Sequence, residues 1–271
     1  MTKIIEIDVL GSGCSSGVPR VDGYWGACDP TNPRNRRSRC SAAVAIYDDQ
    51  TPDQRTQVII DTSPEFREQV LRTEIKHLDA ILWTHDHADQ SHGIDDMRFF
   101  AIANRRNIDG YMDQATYNGL FHRFEYVFTG KFGYPPICTA HIIPDHGIVW
   151  DVMGNGGVMP VRTFGQEHGP IKSVGYRIGD FAYSSDVSDI SDDNFEHLKG
   201  LKLWIVDALR LAPHPTHSHV EKTLSWIERV KPERAILTNL HQDLDYNALK
   251  SMLPEHVEPA YDGMKIKLTA Q

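Results

Sequence analysis

Short apolar runs separated by polar loops set the rhythm of this chain. "IIEIDVL" (4–10) alternates and ends at the glycine turn "GSG", as a strand feeding a turn does. "SAAVAIY" (41–47) and "TQVIID" (56–61) read as a strand pair across the polar loop "DDQTPDQR". "SPEFREQVLRT" (63–73) sets a Ser cap and a Pro at the first helical position ahead of helically spaced apolar residues. "LDAILWT" (78–84) is the continuous apolar run expected of a strand buried on both faces. "GIDDMRFFAIANRR" predicts a helix and "GYM" a short strand, and "DQATYNGLFHRFEYVF" (113–128) predicts a helix with an Asp cap and an aromatic face. "GYPPICTAHIIP" is loop-like at its Tyr-Pro-Pro.

The second half predicts successive strands at "GGVMPVRTFGQEHG", "SVGYRIG" and "DFAYSSD". Helices at "NFEHLKG" and "HVEKTLSWIERV" then alternate with buried strands at "LKLWIVDAL" and "RAILTNL", and "YNALKSML" and "MKIKL" close the chain. Strands in runs, later alternating with helices, predict an α/β fold of two sheets with helices outside. Several buried runs end at a polar residue (His85, Asp186, Asp207 and Asn239), and open α/β sheets place their sites at such ends.

At 271 residues, 40% of them hydrophobic, the chain supports one large core. A domain takes roughly 100–200 residues, and no linker, repeat or low-complexity tract divides this chain, so one domain over 1–271 is expected. A net charge of -9 disfavours an extended nucleic-acid surface, because phosphate neutralisation needs excess Lys and Arg. No run approaches the roughly 18 apolar residues of a membrane span. The first residues carry no apolar signal core, and the four cysteines form no CxxC pair, so reduced thiols in a cytoplasmic protein are expected.

The densest chemistry follows the buried run at 78–84. "THDHADQSHG" carries His85 and His87 two apart, which point the same way on an extended segment, followed by Asp89. Imidazole and carboxylate together suit Zn²⁺ or a similar cation. "HPTHSHV" (214–220) offers His214, His217 and His219, and "RNRRSR" offers Arg34, Arg36, Arg37 and Arg39 as guanidinium forks for phosphate. Charge runs usually face solvent, so one or two of these arginines, Arg36 and Arg39, are expected at the site.

"THDHADQSHG" resembles the HxHxDHxxG signature of the metallo-β-lactamase superfamily. Further pieces follow in order: Asp61 in "VIIDTSP", His168 in "FGQEHG" and Asp186 in "YSSD". The resemblance covers nearly the whole chain and implies an αββα sandwich of two mixed β-sheets flanked by helices. It implies a first metal on His85, His87 and His168, a bridging carboxylate at Asp186, Asp89 serving a second metal, and Asp61 orienting the histidine loop. "LGSGCSSGVPR", "NPRNRRSRCSAAV", "HGIDDMR" and "LTNLHQDLDY" are similar to the branch containing phosphoribosyl cyclic phosphate phosphodiesterase, with tRNase Z more distant.

Three departures from the pattern stand out. Gln90 and Asn239 replace the two histidines of the second metal, and "DGYWGAC" with Gln242 leaves only Cys28 of a separate structural zinc set. Zn²⁺ and/or Mn²⁺, up to two ions, are expected, with an oxygen-rich second site if the Gln90 and Asn239 carbonyls turn inward. His241 is the rival ligand there. Asp89 and His217 are the expected catalytic pair, His217 protonating the leaving oxygen, with His92 and His219 beside Arg36 and Arg39 as substrate contacts.

The function expected is metal-dependent hydrolysis of a small cyclic or nucleotide-like phosphodiester, with attack by metal-activated hydroxide. Two alternatives are a tRNase Z-like RNA-end nuclease and a metal-binding sensor without catalysis. Thiolester or lactam cleavage rests on fold analogy alone. The oligomeric state is open, a homodimer included.

Overall fold

The computed structural model describes residues 2–269. Its strands, in chain order, are β1 (Lys3–Gly11), β2 (Ser41–Asp48), β3 (Thr56–Ile60), β4 (Ala80–Leu82), β5 (Ile108–Met112), β6 (Cys138–Ile142), β7 (Val149–Gly154), β8 (Gly157–His168), β9 (Ile171–Ile178), β10 (Phe181–Ser184), β11 (Leu203–Asp207), β12 (Arg234–Thr238), β13 (Val257–Pro259) and β14 (Met264–Thr269). The helices are α1 (Phe66–Thr73), α2 (Ala88–Ser91), α3 (Arg98–Asn104), α4 (Gln114–Thr129), α5 (Asp192–Phe195), α6 (Val220–Val230) and α7 (Tyr246–Met252).

Two seven-stranded sheets result, in the orders β14-β1-β2-β3-β4-β5-β6 and β13-β12-β11-β10-β9-β8-β7. Both are mixed. The first is antiparallel through β14-β1-β2-β3 and parallel from β3 to β6. The second is antiparallel from β7 to β10 and parallel from β10 to β13. One apolar cluster, including Ile7, Val44, Ile60, Leu82, Tyr176 and Ile205, fills the space between the sheets. Two others pack helices outside: Trp204, Trp226, Ile227 and Leu249 on one side, and Phe66, Trp83, Leu120 and Val127 on the other. This is the expected αββα sandwich.

Several local readings change in the folded chain. Helix α1 begins at Phe66 with Glu65 as its N-cap, and Ser63 instead bonds the Gln69 side chain at 2.9 Å. The helix expected over 93–106 splits into a 3₁₀ turn, Ile94–Met97, and α3. The aromatic helix keeps its cap, Asp113 accepting from the Thr116 N–H at 2.7 Å, and is kinked at Phe124. β6, β7 and β13 lacked a sequence signal: β6 and β7 are largely exposed sheet-edge strands and β13 spans three residues, so no clear alternation marks them. Among the described residues no helix is long and apolar enough to cross a membrane.

Candidate metal centre

Several contacts pin the backbone where β4 ends. Trp83 donates its N–H to Tyr111 O (2.9 Å) and its indole N–H to Thr62 Oγ1 (3.0 Å), while Tyr176 Oη donates to Trp83 O (2.6 Å). Val174 of the facing sheet donates to Thr84 O at 2.9 Å. The loop beyond lies so close to the segment 61–63 that a Cβ on Gly93 would meet Ser63 O at 2.1 Å, which explains the glycine that closes the histidine motif.

Asp61, Asp186 and Asn239, each just past a strand end, take positive φ values of 65°, 52° and 62°. Asp and Asn tolerate this left-handed backbone better than most residues, and it sets three buried polar side chains at strand ends. Asp61 is fully buried, and its two oxygens accept from the Thr84 N–H and the Thr84 hydroxyl, both at 2.8 Å. That hydroxyl therefore accepts from His85 Nδ1–H at 3.0 Å, which leaves the lone pair of His85 on Nε2. His85 Nε2 is buried and, among the described residues, has no hydrogen-bond partner. Burial pushes the His85 pKa down to about 3, so the imidazole is neutral.

His168, at the end of β8, donates Nδ1–H to Thr216 O at 2.7 Å, which likewise leaves a lone pair on Nε2. That nitrogen stands 3.3 Å from His87 Nδ1. The three rings lie 4.5 to 5.1 Å apart between centroids, and one ligand nitrogen from each falls within 4.8 Å of the others. His85 Nε2 and His168 Nε2 present lone pairs, and His87 Nδ1 either donates to His168 Nε2 or, with its proton on Nε2, presents a third; a divalent cation is what this set fits. His168, Asp186 and His217 form a second group whose ligand atoms lie within the same 4.8 Å of one another. Burial favours protonating Asp186, but the surrounding imidazoles and the Ser185 hydroxyl hold its carboxyl below the usual range. Burial and then the Asp186 carboxylate raise Asp89 to about 6.

Asp207, where β11 ends, was noted in the sequence only as a strand end. It is fully buried, and its Oδ2 accepts from Val187 N–H (3.0 Å) and from His217 Nδ1 (2.9 Å). Burial works against charging His217, but the Asp207 carboxylate overrides it and lifts the imidazole to about 9. Burial in turn raises Asp207 to about 6. With Nδ1 engaged, His217 Nε2 is the nitrogen free for proton transfer. A cavity of about 400 Å³ adjoins it, lined among others by Ser15, Arg20, Arg210, His214 and His241.

Other expected residues lie elsewhere. Arg39 pairs with Glu65 at 2.7 Å, and Arg36 stacks on Trp25 with 5.3 Å to the ring centroid. Neither lines the cavity, where Arg20 and Arg210 stand instead. His92 is exposed and packs edge-on against Phe124, while His219 caps α6 through its backbone. His241 lies 3.0 Å from Asp243 and belongs to neither metal-type group. Cys28 faces the buried Arg37 guanidinium at 3.8 Å.

Gln90 departs from the expectation of an inward carbonyl. It turns its amide nitrogen to Asp186 Oδ2, 3.1 Å away, because a carboxylate attracts an N–H and repels a carbonyl oxygen. Cys40 is completely buried beside this contact, 3.1 Å from Ser185 Oγ. Burial and then Asp186 push its pKa far up, so it is a protonated thiol.

The profile described as "Beta-lactamase superfamily domain" matches residues 56–239. The chain belongs to the metallo-β-lactamase superfamily. A crystal structure of a "new diphosphatase from the PhnP family" is 32% identical, covers 98% of each chain and superposes with a TM-score of 0.84. PhnP is the phosphoribosyl cyclic phosphate phosphodiesterase, so the branch read from the sequence motifs is the right one. Zn²⁺-bound PqqB from Methylobacterium extorquens shares the fold at 16% identity, with a TM-score of 0.71 over 97% of this chain and 100% of that one. An octanoyltransferase of Porphyromonas gingivalis is 32% identical over 95% of this chain, which spans about half the length of that relative.

Proposed function

We propose that the chain is one metal-dependent hydrolase domain that cleaves a small phosphodiester or diphosphate. The observation carrying this reading is the convergence of three imidazole nitrogens, from His85, His87 and His168, next to the buried Asp207–His217 pair at a polar cavity. The similarity to the PhnP-family diphosphatase supports the same class of bond. A Zn²⁺ or Mn²⁺ ion on those histidines would supply Lewis acidity, making a nucleophile of water at neutral pH and drawing charge from phosphorus.

The remaining work falls to side chains. His217, kept protonated by Asp207, donates from Nε2 to the leaving oxygen, and Asp207 fixes the tautomer and orientation of the ring. Asp186 sits 3.9 Å from both His168 Nε2 and His217 Nδ1, so its negative charge favours a cation at either place. Asp89, half-buried beside Gln90, accepts a proton near neutral pH. Arg20, Arg210, His214 and His241 line the space beside His217 and would hold phosphate oxygens, in place of the Arg36, Arg39, His92 and His219 set.

The acidic charge disfavours the tRNase Z-like alternative, and the name of the Porphyromonas gingivalis relative belongs to a protein of which this chain matches half. The test is turnover of bis-p-nitrophenyl phosphate, a ribose cyclic phosphate and a nucleoside diphosphate derivative by metal-loaded protein, beside a precursor tRNA. Hydrolysis of a small substrate without cleavage of the tRNA is expected. Precursor cleavage alone would favour the nuclease, and no turnover at full metal content would favour the sensor.

A further inference from the structure

We propose that this chain holds a single metal ion, at His85, His87 and His168, and that Gln90 closes the neighbouring position where the superfamily signature places a second ion. The inference shares the histidine site with the proposed function but concerns metal content alone.

A second ion needs the far oxygen of Asp186, and here that oxygen is taken. Oδ1 faces His168 and His217 at 3.9 Å, while Oδ2 accepts from the Ser185 hydroxyl and from Gln90 Nε2. A carboxylate oxygen has two lone pairs, and two donors use both. Gln90 Nε2 also lies 3.4 Å from Asp89 Oδ2 and 3.3 Å from Cys40 Sγ. One amide NH₂ thus stands between the two carboxylates that a second cation would join. It brings the positive end of a dipole where an ion would bring charge, and fills the volume.

The surroundings keep it there. Gln90, Cys40, Ser185 and Asn239 each have 0% exposure, so no water is at hand to replace these contacts if the amide swings away. Asn239, at the other position where a histidine is missing, has its amide nitrogen 3.1 Å from His217 Nδ1 and its carbonyl oxygen 3.9 Å from the Cys40 sulfur, a thiol by its raised pKa, so that oxygen faces an S–H donor. His241, the remaining rival, lines the cavity beside His217 and belongs to neither group of converging ligand atoms. The donor set does not fit a second ion.

The experiment is metal counting on the full chain. Metal-free protein is titrated with Zn²⁺, and separately with Co²⁺, by calorimetry and by equilibrium dialysis with elemental analysis. One ion per wild-type chain is expected, and none in His87→Ala. A second ion driven in by excess metal should bind at least about 100-fold more weakly, since losing even an outer partner of a ligand costs about 10–100-fold. Gln90→His with Asn239→His should raise the count to two, and Gln90→Ala should admit a second ion weakly. Two tight ions in the wild type would overturn the proposal. So would a thiolate-to-cobalt charge-transfer band that vanishes in Cys40→Ser, because it would make Cys40 a ligand of a second site. If the double variant fails to fold, the wild-type count still decides. One tight ion without any turnover would sink the proposed function and leave this inference standing; two tight ions with turnover would do the reverse.

Discussion

Replacing Asp207 by Asn removes one negative charge and changes almost no volume. Asp207 Oδ2 is 2.9 Å from His217 Nδ1, and the carboxylate is what lifts that imidazole to about 9 against the effect of burial. At pH 7.5 a group of pKa about 9 is about 97% protonated, whereas one at the ordinary 6.5 is about 9% protonated. Loss of the proton alone should slow hydrolysis about tenfold at that pH, and the tautomer no longer fixed by the carboxylate adds to the loss. The sign is definite. A raised pKa means that the working, protonated form is lost as pH rises, through about 9 in the wild type and through about 6.5 in the variant. At pH 6 the two fractions converge and the deficit from protonation should shrink below about twofold. The assay is kcat/KM for a phosphodiester with a poor leaving group from pH 6 to 9.5, at equal metal loading, since a bound cation lowers neighbouring pKa values in both proteins. A deficit of equal size at every pH, with an unmoved alkaline limb, would falsify the charge-coupling argument.

His85→Ala removes the nitrogen whose lone pair has no other partner, so metal content and hydrolysis should both collapse; elemental analysis and rate measurements check this. His217→Ala should keep its metal and lose about 10²–10⁴-fold in rate, with a smaller loss for p-nitrophenyl substrates, whose leaving group needs no proton. Equal losses on good and poor leaving groups would count against proton donation. Arg37→Met tests a different part of the molecule: the 2%-exposed guanidinium donates to Leu244 O at 2.8 Å and His241 O at 3.2 Å, joining the loop before β2 to the loop after β12. Leaving those carbonyls unpaired should cost about 3 kcal/mol or more and lower Tm by roughly 6–12 °C in calorimetry. An unchanged Tm would remove Arg37 as the tie between the two loops.

Local chemistry made part of the site legible in the sequence. His85 and His87 lie two apart at the end of a buried run, and spacing along a short segment survives folding. His168 and Asp186 were found through their likeness to a signature, each beside its own strand end. The two-sheet architecture followed from apolar runs, because burial on both faces leaves its mark on every residue of a strand. The exposed edge strands β6 and β7 left no such mark.

What the sequence determined by itself was the set of ligand types and the order of the strands that carry them, since both depend on short stretches of chain. Only the tertiary structure decided which long-range partners meet. Asp207 is ten residues from His217 and reaches it because β11 and the loop before α6 come together. Arg20 and Arg210 are 190 residues apart yet line one cavity, while Arg36 and Arg39 turn to Trp25 and Glu65. The fate of Gln90 is of the same kind. Its amide can offer oxygen or nitrogen, and the choice falls to the nitrogen because Asp186, 96 residues away, presents a carboxylate oxygen to it in a buried space. Residue type fixes what a side chain can donate or accept; the partner across the fold fixes which of these it does.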